Sequence, residues 1–192
     1  MAVYFTSDFH FGHDREFIWK TRGYESLEDM EQDYVKKFNL VVGSDDDVYV
    51  LGDLMLGPDS ARTLALVGSL NGRLHLVRGN HDTNNRWAAY KDLPNVVEMT
   101  EGQFLKYEKY HFYLSHFPCM TGNLEKETLK QMTLNIYGHT HQKSNFYNDI
   151  PYMYHCGVDS HDGYPVAIDT IIREMYEKLE ECKQFVVEVD SD

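Results

Sequence analysis

A chain of 192 residues that is 42% hydrophobic and 14% aromatic has enough apolar material for one domain with a buried core, which excludes intrinsic disorder. Its formal net charge of −13, with no long basic tract, argues against a protein that grips nucleic acid nonspecifically through phosphate contacts. No apolar stretch approaches a membrane span, residues 1–5 lack a signal-peptide pattern, and Cys119, Cys156 and Cys182 have no C-x-x-C spacing. A cytoplasmic protein without structural zinc is therefore expected.

Residues 2–7 alternate and are β-prone, which predicts a first strand ending at Asp8. Ser26-x-x-Asp29 is a helix N-capping signal, and Leu27, Met30, Tyr34, Phe38 and Val41 follow at helical spacing. The apolar run 48–51 predicts a buried strand ending at Gly52-Asp53, and residues 61–70 predict a helix. After the Asn71-Gly72 turn, residues 74–77 form the next strand and lead to Gly79-Asn80. This alternation implies a parallel sheet with right-handed crossovers. Beyond about residue 95 the strands shorten. Residues 104–107 and 111–114 read as a hairpin around Glu108-Lys109, and 134–137 as a strand ending at Gly138, with 152–156 as another. Asp169 reads as the cap of a late helix with Ile172, Met175, Leu179 and Cys182 on its apolar side. Residues 185–189 read as a final strand before an acidic end. No repeat or linker interrupts the chain, so a single domain over residues 1–192 is expected, with a two-layer β core flanked by helices.

Chemistry-bearing residues gather just past these strand ends, where open α/β sheets place their ligands. The segments are Asp8-Phe9-His10, Gly52-Asp53, Gly79-Asn80-His81-Asp82, His116 and Gly138-His139-Thr140-His141. In a regular strand the one-residue spacing of Asp8 and His10 puts both side chains on one face. Asp53 can bridge two cations, and Asn80 offers a neutral amide oxygen. His139 and His141 repeat the one-residue spacing, so they serve one ion together or one ion each. Ligands delivered from several strand ends to one sheet edge can hold two metals side by side. Turns, helix caps and backbone-bonded histidines account for any one segment, but poorly for all of them in this order.

In that order, D-x-H, G-D, G-N-H-D, a lone His and G-H-T-H resemble the calcineurin-like metallophosphoesterase superfamily. Gly157-Val158-Asp159 and Pro165-Val166 resemble its small single-domain bacterial and phage members. The middle motif, Gly52-Asp53-Leu54-Met55-Leu56-Gly57, lacks the second Asp and the Arg of the protein phosphatase branch. The resemblance implies an α/β fold, a four-layer α-β-β-α sandwich with a two-sheet core. It implies one metal held by Asp8, His10, Asp53 and His141, and a second held by Asp53, Asn80, His116 and His139. The implied activity is hydrolysis of phosphate esters, diesters or nucleotide-type compounds before phosphoproteins, by attack of a metal-bound hydroxide. His81 is the candidate catalytic group, protonating the leaving oxygen or stabilising charge on the phosphate, with Asp82 as its candidate orienting partner.

Two divalent or transition-metal ions are expected, manganese first, with Fe, Zn, Ni and Mg as alternatives. His13 and Arg15 are candidate substrate contacts. Arg86 reads as a solvated charge before a phosphate contact, Arg78 as the partner of a phosphate or a core carboxylate, and His75, His111, His155 and His161 as structural. Phe9, Phe11 and Phe117 flank the motifs, with core packing expected for at least two. The expected partner is a small phosphorylated substrate, a nucleotide among the candidates, with nucleic acid less favoured and no membrane. The alternatives are a nuclease or end-processing enzyme on nucleic acid, and a phosphoesterase-like scaffold without turnover.

Overall fold

In a computed structural model that describes residues 1–57 and 60–189, the alternating apolar runs fold into two sheets. The chain passes through β1 (Val3–Thr6), α1 (Glu16–Thr21), α2 (Leu27–Val41), β2 (Asp47–Val50) and α3 (Ser60–Gly68). It continues through β3 (Arg73–Val77), α4 (Asn84–Tyr90), β4 (Val96–Thr100), β5 (Gln103–Tyr107) and β6 (Tyr110–Ser115). The last elements are β7 (Thr133–Tyr137), β8 (Met153–His155), β9 (Val166–Ala167) and α5 (Ile168–Val189). The first sheet has the order β4-β3-β2-β1-β9, parallel except for β9, and the second the order β5-β6-β7-β8, parallel except for β5.

The period-two alternation of each strand divides the core between the faces of the first sheet. Val48, Val50, Leu74 and Leu76 point to one side, where they meet Met30, Tyr34 and Phe38 of α2, Val67 of α3 and Tyr90 of α4. Phe5, Tyr49, Leu51 and Val77 point to the other, packing on Phe112, Leu114, Leu134 and Ile136 of the second sheet and on Ile171 and Met175 of α5. Burying side chains of this size contributes on the order of 1.5–3 kcal/mol each. The predicted cap is in place: Ser26 Oγ accepts from Asp29 N at 3.1 Å.

Several elements differ from the reading of the sequence. Residues 185–189 continue α5 as helix rather than forming a strand, because no Gly or Pro interrupts residues 168–189 and extending a formed helix costs little. Asp169 lies in the first turn of α5 and is not its cap, since β9 runs into the helix without a loop. The short elements α1, α4, β4 and β9 went unpredicted. The expected acidic end, residues 190–192, lies outside the described residues.

Because β1, β2 and β3 run parallel, their C-terminal ends share one edge of the first sheet. Ser115 and Tyr137, the last residues of β6 and β7, pair with each other, so these strands end together as well. Backbone bonds join the segments that leave these ends: Asp8 N donates to Gly52 O at 3.0 Å, Gly138 N to His116 O at 3.0 Å, and Val158 N to Ser7 O at 3.1 Å.

Candidate metal centre

Past the strand ends the backbone turns left-handed at the very residues whose side chains converge. Among the described residues ten non-glycine residues have positive φ, and five of them are Asp8 (63°), His10 (54°), Asp53 (57°), His139 (69°) and His141 (50°). Each such residue costs about 1–2 kcal/mol, although Asp, Asn and His tolerate the region better than most. The extended geometry that would put Asp8 and His10 on one strand face therefore does not persist beyond β1. A succession of left-handed turns brings the side chains together instead.

The first donor group draws on three segments. His10 Nε2 stands 3.2 Å from His141 Nε2, and each lies 3.9 Å from Asp8 Oδ1. Asp53 Oδ2 is 3.8 Å from His10 Nε2. In the second group the same Asp53 Oδ2 is 3.4 Å from His116 Nε2, which lies 2.8 Å from Asn80 Oδ1. Metal–ligand bonds of about 2.0–2.2 Å set donor atoms on one ion roughly 3–3.5 Å apart, and both groups are close to that spacing. His139 presents its ring beside this second group, with centroids 5.1 Å from His116 and 4.6 Å from Phe117, while its N–H donates to Asp8 Oδ2 at 2.9 Å.

Three observations fit this cluster to cations. Asp8 is fully buried, yet its Oδ1 has no hydrogen-bond partner, a costly state for a carboxylate oxygen unless a cation meets it. Burial raises the Asp8 pKa and lowers that of His10 to about 2, so the buried imidazole is neutral and has a lone pair to give. Gly79 and Gly138 make room for the carboxylates: a Cβ on Gly79 would lie 2.1 Å from Asp53 Oδ1, and one on Gly138 2.7 Å from Asp8 Oδ2.

Around the donors stands a shell that the sequence left unread. His141 Nδ1 bonds Asp159 Oδ2 at 2.7 Å, which turns Nε2 toward the cluster. Arg22 clamps Asp159, Nε to Oδ1 at 3.0 Å and Nη2 to Oδ2 at 2.9 Å, and Nη2 also donates to the carbonyl of Asp8 at 2.9 Å. Although burial opposes it, the bonds from His141 and Arg22 hold the Asp159 pKa far below the usual carboxylate range. His116 Nδ1 is fixed in the same way by the carbonyl of Leu51 at 2.7 Å. Asp159 was noted only as part of a family-like string, and Arg22 carries no sequence signal that separates it from a surface charge.

The other expected residues fall into place differently. His81 stands at the rim, half-buried, its ring 5.4 Å from that of His10 and its N–H donating to Asp53 Oδ1 at 2.8 Å. Asp82 does not take the orienting role foreseen for it. It is buried, with Oδ2 accepting from Asp53 N at 2.9 Å and Gly79 N at 2.8 Å, and Oδ1 accepting from Tyr90. Arg86 is no free solvated charge, since it donates to the carbonyls of His81 and Leu56, both at 2.7 Å. Arg78 ties the carbonyl of Asp82 to Glu101 and Asn84.

His13 sits 5.9 Å from the His10 ring, its pKa lowered by burial and by the neighbouring His81 and Arg15. Arg15 itself is exposed at the start of α1. Phe9 and Phe11 are core residues, whereas Phe117 is exposed. His75 bridges Asp47 and Glu98, His155 is buried against Ser160, His161 bonds the carbonyl of His155, and His111 lies exposed on β6.

Residues 1–157 match the calcineurin-like phosphoesterase superfamily domain. The chain belongs to that family. The chain is 29% identical over 181 residues to an uncharacterized protein of Methanocaldococcus jannaschii, with 89% of each chain covered. It is 30% identical over 204 residues to the Gene 66 protein of Mycobacterium phage D29, covering 93% of this chain and 98% of the phage protein. In three dimensions it resembles a protein of unknown function from Aquifex aeolicus, with a TM-score of 0.67, 24% identity, and coverage of 88% and 97%. The two-sheet α/β architecture is that of the family, whose members are metal-dependent, and two groups, Asp8 with His10 and His141 and Asp8 with Asp53 and His116, could bind metal. No helix among the described residues is long and apolar enough to cross a membrane.

Proposed function

We propose that this phosphoesterase is a cytoplasmic hydrolase with a two-metal centre, acting on phosphodiesters or nucleotide-type esters. One observation carries the reading: Asp53 Oδ2 lies within 3.8 Å of His10 Nε2 and 3.4 Å of His116 Nε2, so one carboxylate oxygen belongs to both donor groups. Asp8, His10, Asp53 and His141 would hold the first ion, and Asp53, Asn80, His116 and His139 the second. When bound, two cations acidify water and offset phosphoryl charge, and the mixed nitrogen and oxygen donors suit manganese as well as Fe, Zn or Ni.

The chain's own residues do the rest. In hydrolysis a water oxygen bonds to phosphorus while the bond to the ester oxygen breaks, and the departing oxygen needs a proton. His81 is placed to give it: Asp53 holds its N–H and Arg86 its carbonyl, so the backbone is fixed while the imidazole stands at the rim. His13, one ring from His10 and electrostatically coupled to His81, is placed to meet a phosphate oxygen or relay a proton. With no protein nucleophile required, the reading needs no covalent intermediate.

The test is hydrolysis of bis(p-nitrophenyl) phosphate and p-nitrophenyl phosphate by the purified chain supplied with Mn²⁺. Metal-dependent release from the diester, faster than from the monoester, is expected. Release from neither ester, in a protein shown to contain metal, would favour a scaffold without turnover.

A further inference from the structure

Two clefts open beside the donor cluster, one next to each donor group. A cleft of about 330 Å³ borders His141 and is lined by Phe17, Ile18, Thr21 and Lys143. Another of about 280 Å³ borders Asn80 and His116 and is lined by Phe117, Tyr113 and Cys119. Each contains an exposed phenylalanine, Phe17 at 63% and Phe117 at 48%; Phe104 is exposed too but lines neither cleft, whereas Phe5, Phe9, Phe11, Phe38 and Phe112 are fully buried.

The two cleft rings, unlike that of Phe104, which packs on Tyr113, are braced against histidines of the site. Phe17 packs edge-on to His13 at 6.0 Å, and His13 lies 5.9 Å from His10. Phe117 packs edge-on to His139 at 4.6 Å and to His116 at 5.1 Å. An exposed aromatic ring held in place is a stacking platform for another π-face, and it tolerates any base.

A phosphomonoester carries one substituent on phosphorus and a diester two, pointing different ways. A site with one ring-bearing cleft beside each donor group matches the second. Building on the phosphodiesterase reading, we propose that the substrate is a small phosphodiester with an aromatic group on each side, of the dinucleotide class, its two bases stacked on Phe17 and Phe117. Lys143 adds a cation to the first cleft. The net charge of −13 disfavours a long polyanionic strand, so a two-base ligand fits better than an extended one.

Two esters that release the same p-nitrophenolate, phenyl p-nitrophenyl phosphate and methyl p-nitrophenyl phosphate, test this with the Mn²⁺-loaded full chain. After normalisation to their hydroxide rates, the phenyl ester should have a kcat/KM higher by about tenfold or more, a factor that base–ring stacking commonly supplies. Alanine at the Phe that holds the non-leaving group, Phe17 or Phe117, should lower that ratio by about threefold or more. Alanine at the other should lower kcat/KM for both esters alike, whereas Leu40→Ala, an exposed position on α2, should leave both quantities unchanged. A ratio near one, or a ratio untouched by either Phe variant, would overturn the proposal. Calorimetric binding of diphenyl phosphate against dimethyl phosphate reads the clefts without turnover. If neither nitrophenyl ester is hydrolysed, the phosphodiesterase reading fails, while a preference for diphenyl phosphate that both Phe variants lose still upholds the clefts. Equal binding of the two overturns them.

Discussion

His10 Nε2 and His141 Nε2 face each other at 3.2 Å although 131 residues separate them in the chain. Both rings carry their partners elsewhere or none at all: His141 Nδ1 is bonded to Asp159, and His10 Nδ1 is buried without a partner. Two nitrogens brought tip to tip beside an unpartnered carboxylate oxygen of Asp8 make sense once a cation sits among them. Replacing either histidine by alanine should therefore cost the protein one bound ion per chain. Elemental analysis after gel filtration in Mn²⁺ measures this, and unchanged metal content in both variants would count against the first donor group.

In the proposed centre Asp159 would act through His141, to which it is hydrogen-bonded, rather than on a metal. Its carboxylate fixes which imidazole nitrogen points inward, and Arg22 holds the carboxylate in turn. Losing such an outer partner typically weakens metal binding by about 10–100-fold. Asp159→Ala is expected to shift the Mn²⁺ titration midpoint by that factor, with metal still bound at saturation. A midpoint equal to that of the parent would leave Asp159 with a structural role only.

His81 has a different signature. A positioned general acid contributes about 10²–10⁴-fold, and most where the leaving group is a poor one. His81→Ala should lose about 100-fold or more in kcat on a diester with an alkoxide leaving group, and much less on one that releases p-nitrophenolate. Metal content should stay at the parent level. An equal loss on both substrates would remove His81 from the proton-transfer role.

Acid sensitivity follows from a histidine outside the donor groups. His155 is fully buried, and burial lowers its pKa from 6.5 to about 3. Between those values the unfolded chain binds a proton that the folded chain refuses. The associated stability is thus complete above pH 6.5 and is lost as pH falls toward 3, at up to about 1.4 kcal/mol per pH unit. His10 and His161, also lowered chiefly by burial, act in the same direction. Urea midpoints measured from pH 7 down to pH 5 should fall, and fall less steeply in His155→Leu. A parallel pH profile in that variant would contradict the assignment.

The candidate donor positions could be read from the sequence because a β-prone run followed by Gly and a ligand-type residue marks the end of a buried strand. Asp53, Asn80 and His139 could all be placed by that pattern. It could not reveal how they converge, since the left-handed turns at Asp8, His10, Asp53, His139 and His141 depend on long-range packing. Arg22 was missed for the same reason, its meaning arising only when Asp159 folds back beside it. Asp82 and Arg86 were misread because a charged residue beside a motif suggests chemistry or solvent, whereas here both bind backbone. The helices α1 and α4, of 6 and 7 residues, are too short to show an amphipathic period.

The claim on which everything else rests is that two ions share Asp53. Anomalous diffraction at the manganese edge from Mn²⁺-loaded crystals tests it directly. Two peaks are predicted, both bonded to the Asp53 carboxylate, one completed by Asp8, His10 and His141 and the other by Asn80, His116 and His139. A single peak, or a pair in which Asp53 touches only one ion, would contradict it.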